Sequence, residues 1–164
     1  MTESAKPESA VPETGMPEAT QPESVMPPYD KPLPVLTDDN RPFWDACRGG
    51  RLSFQCCSGC GHLRYPISPF CPECLSADFA WNPVSGRGTV FASVVFHQAY
   101  HPGFKGEVPY NVALIQLEEG PRMYSNVVGV PPREVRVGDL VEVLFDPVTP
   151  EITVPRFRPR GTAT

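Results

Sequence analysis

The chain has 164 residues, of which 40% are hydrophobic and 20% charged, and its formal net charge is −5. It contains no apolar run long enough to span a bilayer and no basic start followed by an apolar segment of the kind that directs export. These features exclude a membrane-spanning protein, and we expect a soluble, cytoplasmic one. The 22 prolines exceed the usual share and are unevenly spread, which indicates a boundary within the chain.

The N-terminal part of the sequence repeats with a period of five residues. The prolines in register are Pro7, Pro12, Pro17, Pro22 and Pro27. A segment with so few aromatic residues cannot bury enough surface to offset its ordering entropy, so residues 1–37 are predicted to be a disordered tail. The tail is interpreted as an acidic tether, with a docking peptide as the alternative. Residues 1–40 carry eight acids and two lysines, a net charge of −6, which leaves residues 41–164 with +1.

A short helix is predicted over residues 38–50. Three polar residues, 38–40, can cap its start, and the glycine pair at 49–50 would end it. Phe43 and Trp44 give the helix an aromatic face. Because a helix of this length is marginal alone, this face must pack either on the domain or on another protein.

Five of the six cysteines follow within twenty residues, in the stretch "QCCSGCGHLRYPISPFCPEC". Cys57 and Cys60 form one CxxC pair, and Cys71 and Cys74 form a second after ten intervening residues. Two such pairs place four thiolates within tetrahedral reach of one ion, which predicts a zinc ribbon over residues 51–82. Four protein ligands leave no open position, so the Zn²⁺ is expected to be structural. Iron held by the same sulfurs is the alternative.

The two remaining cysteines are predicted to be small buried hydrophobic residues. In an alternating strand, Leu52, Phe54 and Cys56 share one face, while Cys57 points to the other. Cys56 is therefore not expected to bind the metal. Cys47 lies on the predicted helix and is given the same role.

Residues 83–160 contain five short alternating segments and no long helical pattern. Their sequences are "GRGTVFASVVFHQAY", "YNVALIQLEEG", "RMYSNVVGV", "VGDLVEVLFDPV" and "EITVPRFRPR". Five strands at this spacing predict a mainly β fold with a small closed barrel, most simply an OB-fold barrel. The longest connection, residues 97–109, has the composition of a binding loop.

Residues 40–155 resemble the acyl-CoA-associated zinc-ribbon and OB-fold family known as domain of unknown function thirty-five. The motifs that carry the resemblance are "CCSGCGHLRYPISPFCPEC", "SGRGTV", "PYNVALIQLEEG", "NVVGV" and "VRVGDLVEV". The resemblance implies an N-terminal helix, a rubredoxin-like zinc ribbon and an OB barrel. The residues that match the family's metal ligands by position are Cys57, Cys60, Cys71 and Cys74. Cys56 departs from the pattern, since it stands where a polar or basic residue is expected.

The resemblance also implies an accessory role beside thiolase-superfamily enzymes, including lipid-transfer-protein-like thiolases and aldolases of sterol side-chain breakdown, or beside acyl-CoA hydratases of the hot-dog type. His62, His97 and His101 are scattered, and no serine or cysteine pairs with them by motif, so we expect a noncatalytic subunit. Its ribbon and helix would dock on the partner, and its barrel loop would help to form the acyl-CoA channel. The residues predicted to contact acyl-CoA or the partner are Arg64, Tyr65, Tyr100, Phe104 and Lys105.

Two other classes of function are alternatives. The segment "RFRPRG", residues 156–161, is basic and aromatic, as in a single-stranded nucleic-acid-binding module, although a net charge of +1 over residues 41–164 disfavours nucleic acid. Electron transfer through bound iron is the second alternative, and it predicts a coloured protein.

Overall fold

The structure, a computed structural model, describes residues 28–161, so the repeats of residues 1–27 lie outside the described part of the chain. It is mainly β, with one α-helix within these residues. The elements are α1 (Arg41–Arg48), β1 (Leu52–Cys57), β2 (Leu63–Arg64), β3 (Phe79–Val84), β4 (Arg87–Phe96), β5 (Tyr110–Leu117), β6 (Arg122–Ser125), β7 (Leu140–Pro147) and β8 (Thr153–Pro159). None of the helical segments in residues 28–161 is long and apolar enough to cross a membrane.

Helix α1 packs its aromatic face on the domain itself. Asn40 precedes the helix, and its side-chain oxygen accepts a hydrogen bond from the backbone N–H of Thr37 at 2.9 Å. Phe43 is buried in the core, and the half-buried Trp44 meets its ring edge-on at 5.0 Å. The first of the two alternatives for this aromatic face is therefore correct.

The ribbon contains a three-stranded antiparallel sheet in the order β2-β1-β3. Its central residue, Gln55, pairs with Arg64 on one side and Trp81 on the other. The Gln55 side chain is buried, and its oxygen accepts the backbone N–H of Ser68 at 3.0 Å, which fastens the return loop to the sheet. The prediction of a buried Cys56 is wrong, since this residue is only half-buried; its thiol faces the carbonyl of Gly61 at 3.5 Å.

The second sheet contains all five strands predicted for the barrel, in the order β6-β5-β4-β7-β8. This curled sheet has the topology of an OB fold, in which the first strand, β4, pairs with both β5 and β7. The chain after β6 then bridges to the far edge, where Val127 pairs in parallel with Phe157. Asn111 supports this closure, since its side chain donates to the Val127 carbonyl at 2.7 Å and accepts the Val127 N–H at 2.8 Å.

One hydrophobic core joins the helix, the ribbon and the barrel. Its most buried members are Phe43, Cys47, Leu52, Phe54, Val90, Ala113, Ile115, Leu117, Met123, Val127, Val141 and Phe157. Strand β3 ends at Val84 and β4 begins at Arg87, so only two residues separate the ribbon sheet from the barrel sheet. This packing holds the metal ribbon directly against one end of the barrel.

Candidate functional site

The four predicted metal ligands come together at the tip of the ribbon. Cys57 ends β1. Each CxxC pair forms a tight turn, or knuckle. In the first knuckle the carbonyl of Cys57 accepts the N–H of Gly61, and in the second the carbonyl of Cys71 accepts the N–H of Leu75. All four sulfurs lie within 4.8 Å of one another, with Cys57–Cys74 at 3.5 Å and Cys60–Cys71 at 3.6 Å. Tetrahedral thiolates around zinc have sulfurs roughly 3.8 Å apart. The cluster therefore fits one Zn²⁺.

The electrostatics of the cluster favour a bound cation. The backbone N–H of Cys60 donates to the sulfur of Cys57 and lowers the pKa of that thiol to about 6. The N–H of His62 favours the Cys60 thiolate, but the sulfurs of Cys74 and Cys71 raise the pKa of Cys60 to about 12. A cation between the sulfurs would stabilise the thiolates, so metal binding releases protons.

The metal centre has a structural rather than a catalytic design. With four cysteine ligands, zinc has no free position for water or substrate. Burial raises the pKa of the Cys47 thiol to about 12, which makes it unreactive. Among the side-chain hydrogen bonds of residues 28–161, none joins a histidine to a serine or cysteine; the one formed by a histidine is the bond from the N–H of Gly103 to His101 Nδ1.

Arg64 and Tyr65 lie together in the return loop but differ in character. The Arg64 side chain is buried over the ring of Phe79 at 4.8 Å, and none of its three guanidinium nitrogens has a hydrogen-bond partner within the described residues. Tyr65 packs between Phe43 at 5.9 Å and Phe54 at 5.0 Å, and burial raises its pKa. Tyr65 is therefore a half-buried residue packed against the core, whereas Arg64 has hydrogen-bond donors without a partner among the described residues.

Both residues line a cavity of 640 Å³ between the ribbon and the turn after β5. From the barrel side, Glu119, Gly120 and Pro121 complete this cavity. One carboxylate oxygen of Glu119 accepts the N–H of Ser85 at 2.6 Å, and the other is buried without a partner among the described residues. Sequence reasoning missed Glu119, because nothing in the "LEEG" turn distinguishes it from a solvated acid.

The other three predicted contact residues, Tyr100, Phe104 and Lys105, lie on the β4–β5 loop and away from this cavity. A 3₁₀ turn, Pro102–Phe104, shapes the loop, and Phe104 stacks on Tyr110 at 5.0 Å. Tyr100 is 73% exposed, and Lys105 is also exposed. This loop precedes β5, whereas the cavity beside Arg64 adjoins the turn that follows β5. An eight-residue strand spans about 26 Å, so the structure does not bring the five predicted contact residues to one point.

Comparison with known proteins agrees with this architecture. Residues 44–80 match the family model described as the ChsH2 rubredoxin-like zinc ribbon domain, and residues 81–146 match the ChsH2 C-terminal OB-fold domain. A chain of the solved Ltp2-ChsH2(DUF35) aldolase superposes with a TM-score of 0.71 at 38% identity, covering 77% of this chain and 98% of that one. The chain belongs to the ChsH2/DUF35 family. The family's zinc ribbon corresponds to the four-cysteine cluster, which identifies the cofactor as structural Zn²⁺.

Two curated relatives indicate the range of the ChsH2/DUF35 family. A "Probable enoyl-CoA hydratase alpha subunit" of Thermomonospora curvata is 39% identical over 129 residues, which are 79% of this chain and 40% of that protein. A "DUF35 domain-containing scaffold protein" of Methanocaldococcus jannaschii is 36% identical over 90 residues, which are 54% of this chain and 63% of that protein. The chain thus spans less than two thirds of the length of either relative.

Proposed function

We propose that this chain is a noncatalytic accessory subunit that docks on a thiolase-like enzyme, such as a lipid-transfer-protein-type thiolase or aldolase, or on an acyl-CoA hydratase. In this role it helps to form the partner's acyl-CoA channel in lipid or sterol metabolism. The observation that carries the proposal is the likeness to a chain of the Ltp2-ChsH2(DUF35) aldolase, 98% of which is covered at 38% identity.

The chemistry of the described residues supports a noncatalytic role. The metal centre is closed by four cysteines, and no histidine side chain within residues 28–161 forms a hydrogen bond with a serine or cysteine. Acyl-CoA chemistry needs a positioned base or nucleophile, which the partner would supply.

The ribbon offers a surface for docking. Phe70 is 57% exposed just before the second knuckle, and Leu75 is 76% exposed just after it. Exposed apolar side chains of this size are typical of protein interfaces. Because both residues flank the second knuckle, bound zinc would hold the backbone that carries this surface, the knuckle patch.

The predicted acyl-CoA contacts suit a long ligand better than a compact one. Arg64, with its unused donors, could pair with a phosphate or carboxylate, which a guanidinium binds in a fork. Tyr100 and Lys105, at the other end of β5, are exposed and free to stack on or pair with a second part of the ligand. The phosphates and pantetheine arm of coenzyme A form an elongated ligand, which suits the separation between Arg64 and the β4–β5 loop.

Nucleic-acid binding is less well supported. Each arginine of the C-terminal basic segment has an acidic partner: Arg156 with Asp146 at 2.6 Å, Arg158 with Glu142 at 2.8 Å and Arg160 with Glu118 at 2.9 Å. Side chains neutralised in this way do not form the positive track that a phosphate backbone requires.

The proposal is tested by recovering the tagged chain from its own cell lysate, with mass spectrometry of co-purified proteins and absorbance for nucleic acid. We expect a thiolase-like or hydratase subunit in near-equal amount. The test variant is Leu75→Glu, which alters the knuckle patch but not the zinc ligands, and should reduce recovery while zinc content stays unchanged. The isolated chain should turn over no acyl-CoA. Recovery of nucleic acid without such a partner, or turnover by the isolated chain, would overturn the proposal.

A further inference from the structure

The segment before the helix, residues 29–37, contacts the barrel although it has no regular secondary structure. It passes two barrel loops, the one between β4 and β5 (residues 97–109) and the one between β7 and β8 (residues 148–152). We call this segment the strap.

The strap contacts the first loop through Lys31. The Lys31 side chain is only 9% exposed, forms a salt bridge with Glu107 and lies over the ring of Phe104 at 5.3 Å. The backbone also approaches closely at this point, since a Cβ atom on Gly103 would lie 2.7 Å from the carbonyl oxygen of Asp30. Only glycine therefore fits at position 103 while the strap is in place.

The strap faces the second loop across a cavity lined in part by its apolar side chains. Leu33, Pro34 and Leu36 share the lining of a 620 Å³ cavity with residues 149–152 of the β7–β8 loop. Beyond this cavity, the side-chain N–H of Asn40 donates to the carbonyl of Val35 at 2.9 Å and ties the strap to the start of α1.

In OB barrels, the loops between the first and second strands and between the fourth and fifth strands flank the surface that binds oligonucleotides and oligosaccharides. In this chain those loops are residues 97–109 and 148–152. We propose that the strap is an intramolecular ligand of this OB-fold cleft. It holds the β4–β5 loop in one conformation and denies the cleft to another extended polymer. This inference rests on contacts within the chain and does not depend on the proposed function.

Hydrogen exchange of the full-length chain tests the inference. Three reporter amides in the loop, those of Phe104, Lys105 and Glu107, are bonded within the loop itself. Lys31→Glu should increase their exchange roughly fivefold, because losing a well-packed ion pair destabilises the closed loop. Gly103→Ala should have a similar effect by displacing the strap.

Two controls separate this effect from general destabilisation. Arg48→Glu breaks the exposed Arg48–Asp45 pair away from the cleft and should leave loop exchange unchanged. The charge-swapped double variant, Lys31→Glu with Glu107→Lys, should restore much of the protection of the loop amides from hydrogen exchange. Zinc content and melting temperature confirm that each variant is folded. Unchanged exchange in both Lys31→Glu and Gly103→Ala would overturn the inference.

Discussion

The ribbon and the barrel of this chain are stabilised by different means. The ribbon has strands of six, two and six residues around a four-cysteine cluster. The barrel has five strands around fully buried side chains such as Val90, Ile115, Val141 and Phe157. Although both share one hydrophobic core, the ribbon draws much of its folding energy from one metal site, whereas the barrel draws it from many dispersed apolar contacts. The same chain should therefore respond very differently to the loss of one residue in each part.

The largest effect is expected for Cys60→Ser. Structural zinc contributes about 10–16 kcal/mol of binding free energy, so loss of one thiolate should empty the site, unfold the ribbon and abolish partner binding together. Cys56→Ser is the matched control, because Cys56 lies next to a ligand but outside the cluster. Elemental analysis for zinc and a partner pull-down measure the result. A partner-competent Cys60→Ser protein without zinc would contradict the structural role.

A smaller loss of about 3–5 kcal/mol in the free energy of unfolding is expected for Phe157→Ala in the barrel. Phe157 is fully buried and forms the bridge that closes the sheet. Zinc content should remain near one per chain, since the ribbon is held by its metal. The exposed Val137→Ala is the control, with a change within about 0.5 kcal/mol. Loss of zinc in Phe157→Ala would mean that the two regions unfold as one unit.

Arg64→Met tests the cavity between the ribbon and the barrel. Removing a buried charge that has no hydrogen-bond partner within residues 28–161 should leave stability unchanged or raise it by up to about 2 kcal/mol. If Arg64 binds a phosphate or carboxylate of the ligand, acyl-CoA turnover by the partner complex should fall despite this stability. Arg133→Met, at an exposed arginine, is the control. Denaturant unfolding and turnover are measured together, and a clear loss of stability would show that Arg64 has a structural partner.

The smallest effect is expected from deleting residues 1–27, which spares the strap. As an acidic tether, this part should not alter zinc content, melting temperature or recovery of the partner. Loss of partner recovery would instead identify the proline-rich repeat as a docking peptide.

Local patterns were the reliable part of sequence prediction. The two CxxC pairs predicted the cluster that forms, and period-two alternation predicted all five barrel strands. Two features could not be predicted from these patterns. Arg64 sits in a two-residue strand with no periodicity to reveal its burial, and Asn111 is a polar residue on the inward face of β5 that only the parallel bridge explains.

The sequence by itself determined the metal ligands, the strand order along the chain and the family, because each depends on residues close together or on alternation along a strand. Only the tertiary structure decided that Phe43 faces the core, that Arg64 and the β4–β5 loop lie at opposite ends of β5, and that the strap contacts the β4–β5 loop through Lys31. Contacts between distant segments, such as Lys31 with Glu107, depend on how the sheets curl and pack, and no short-range pattern encodes them.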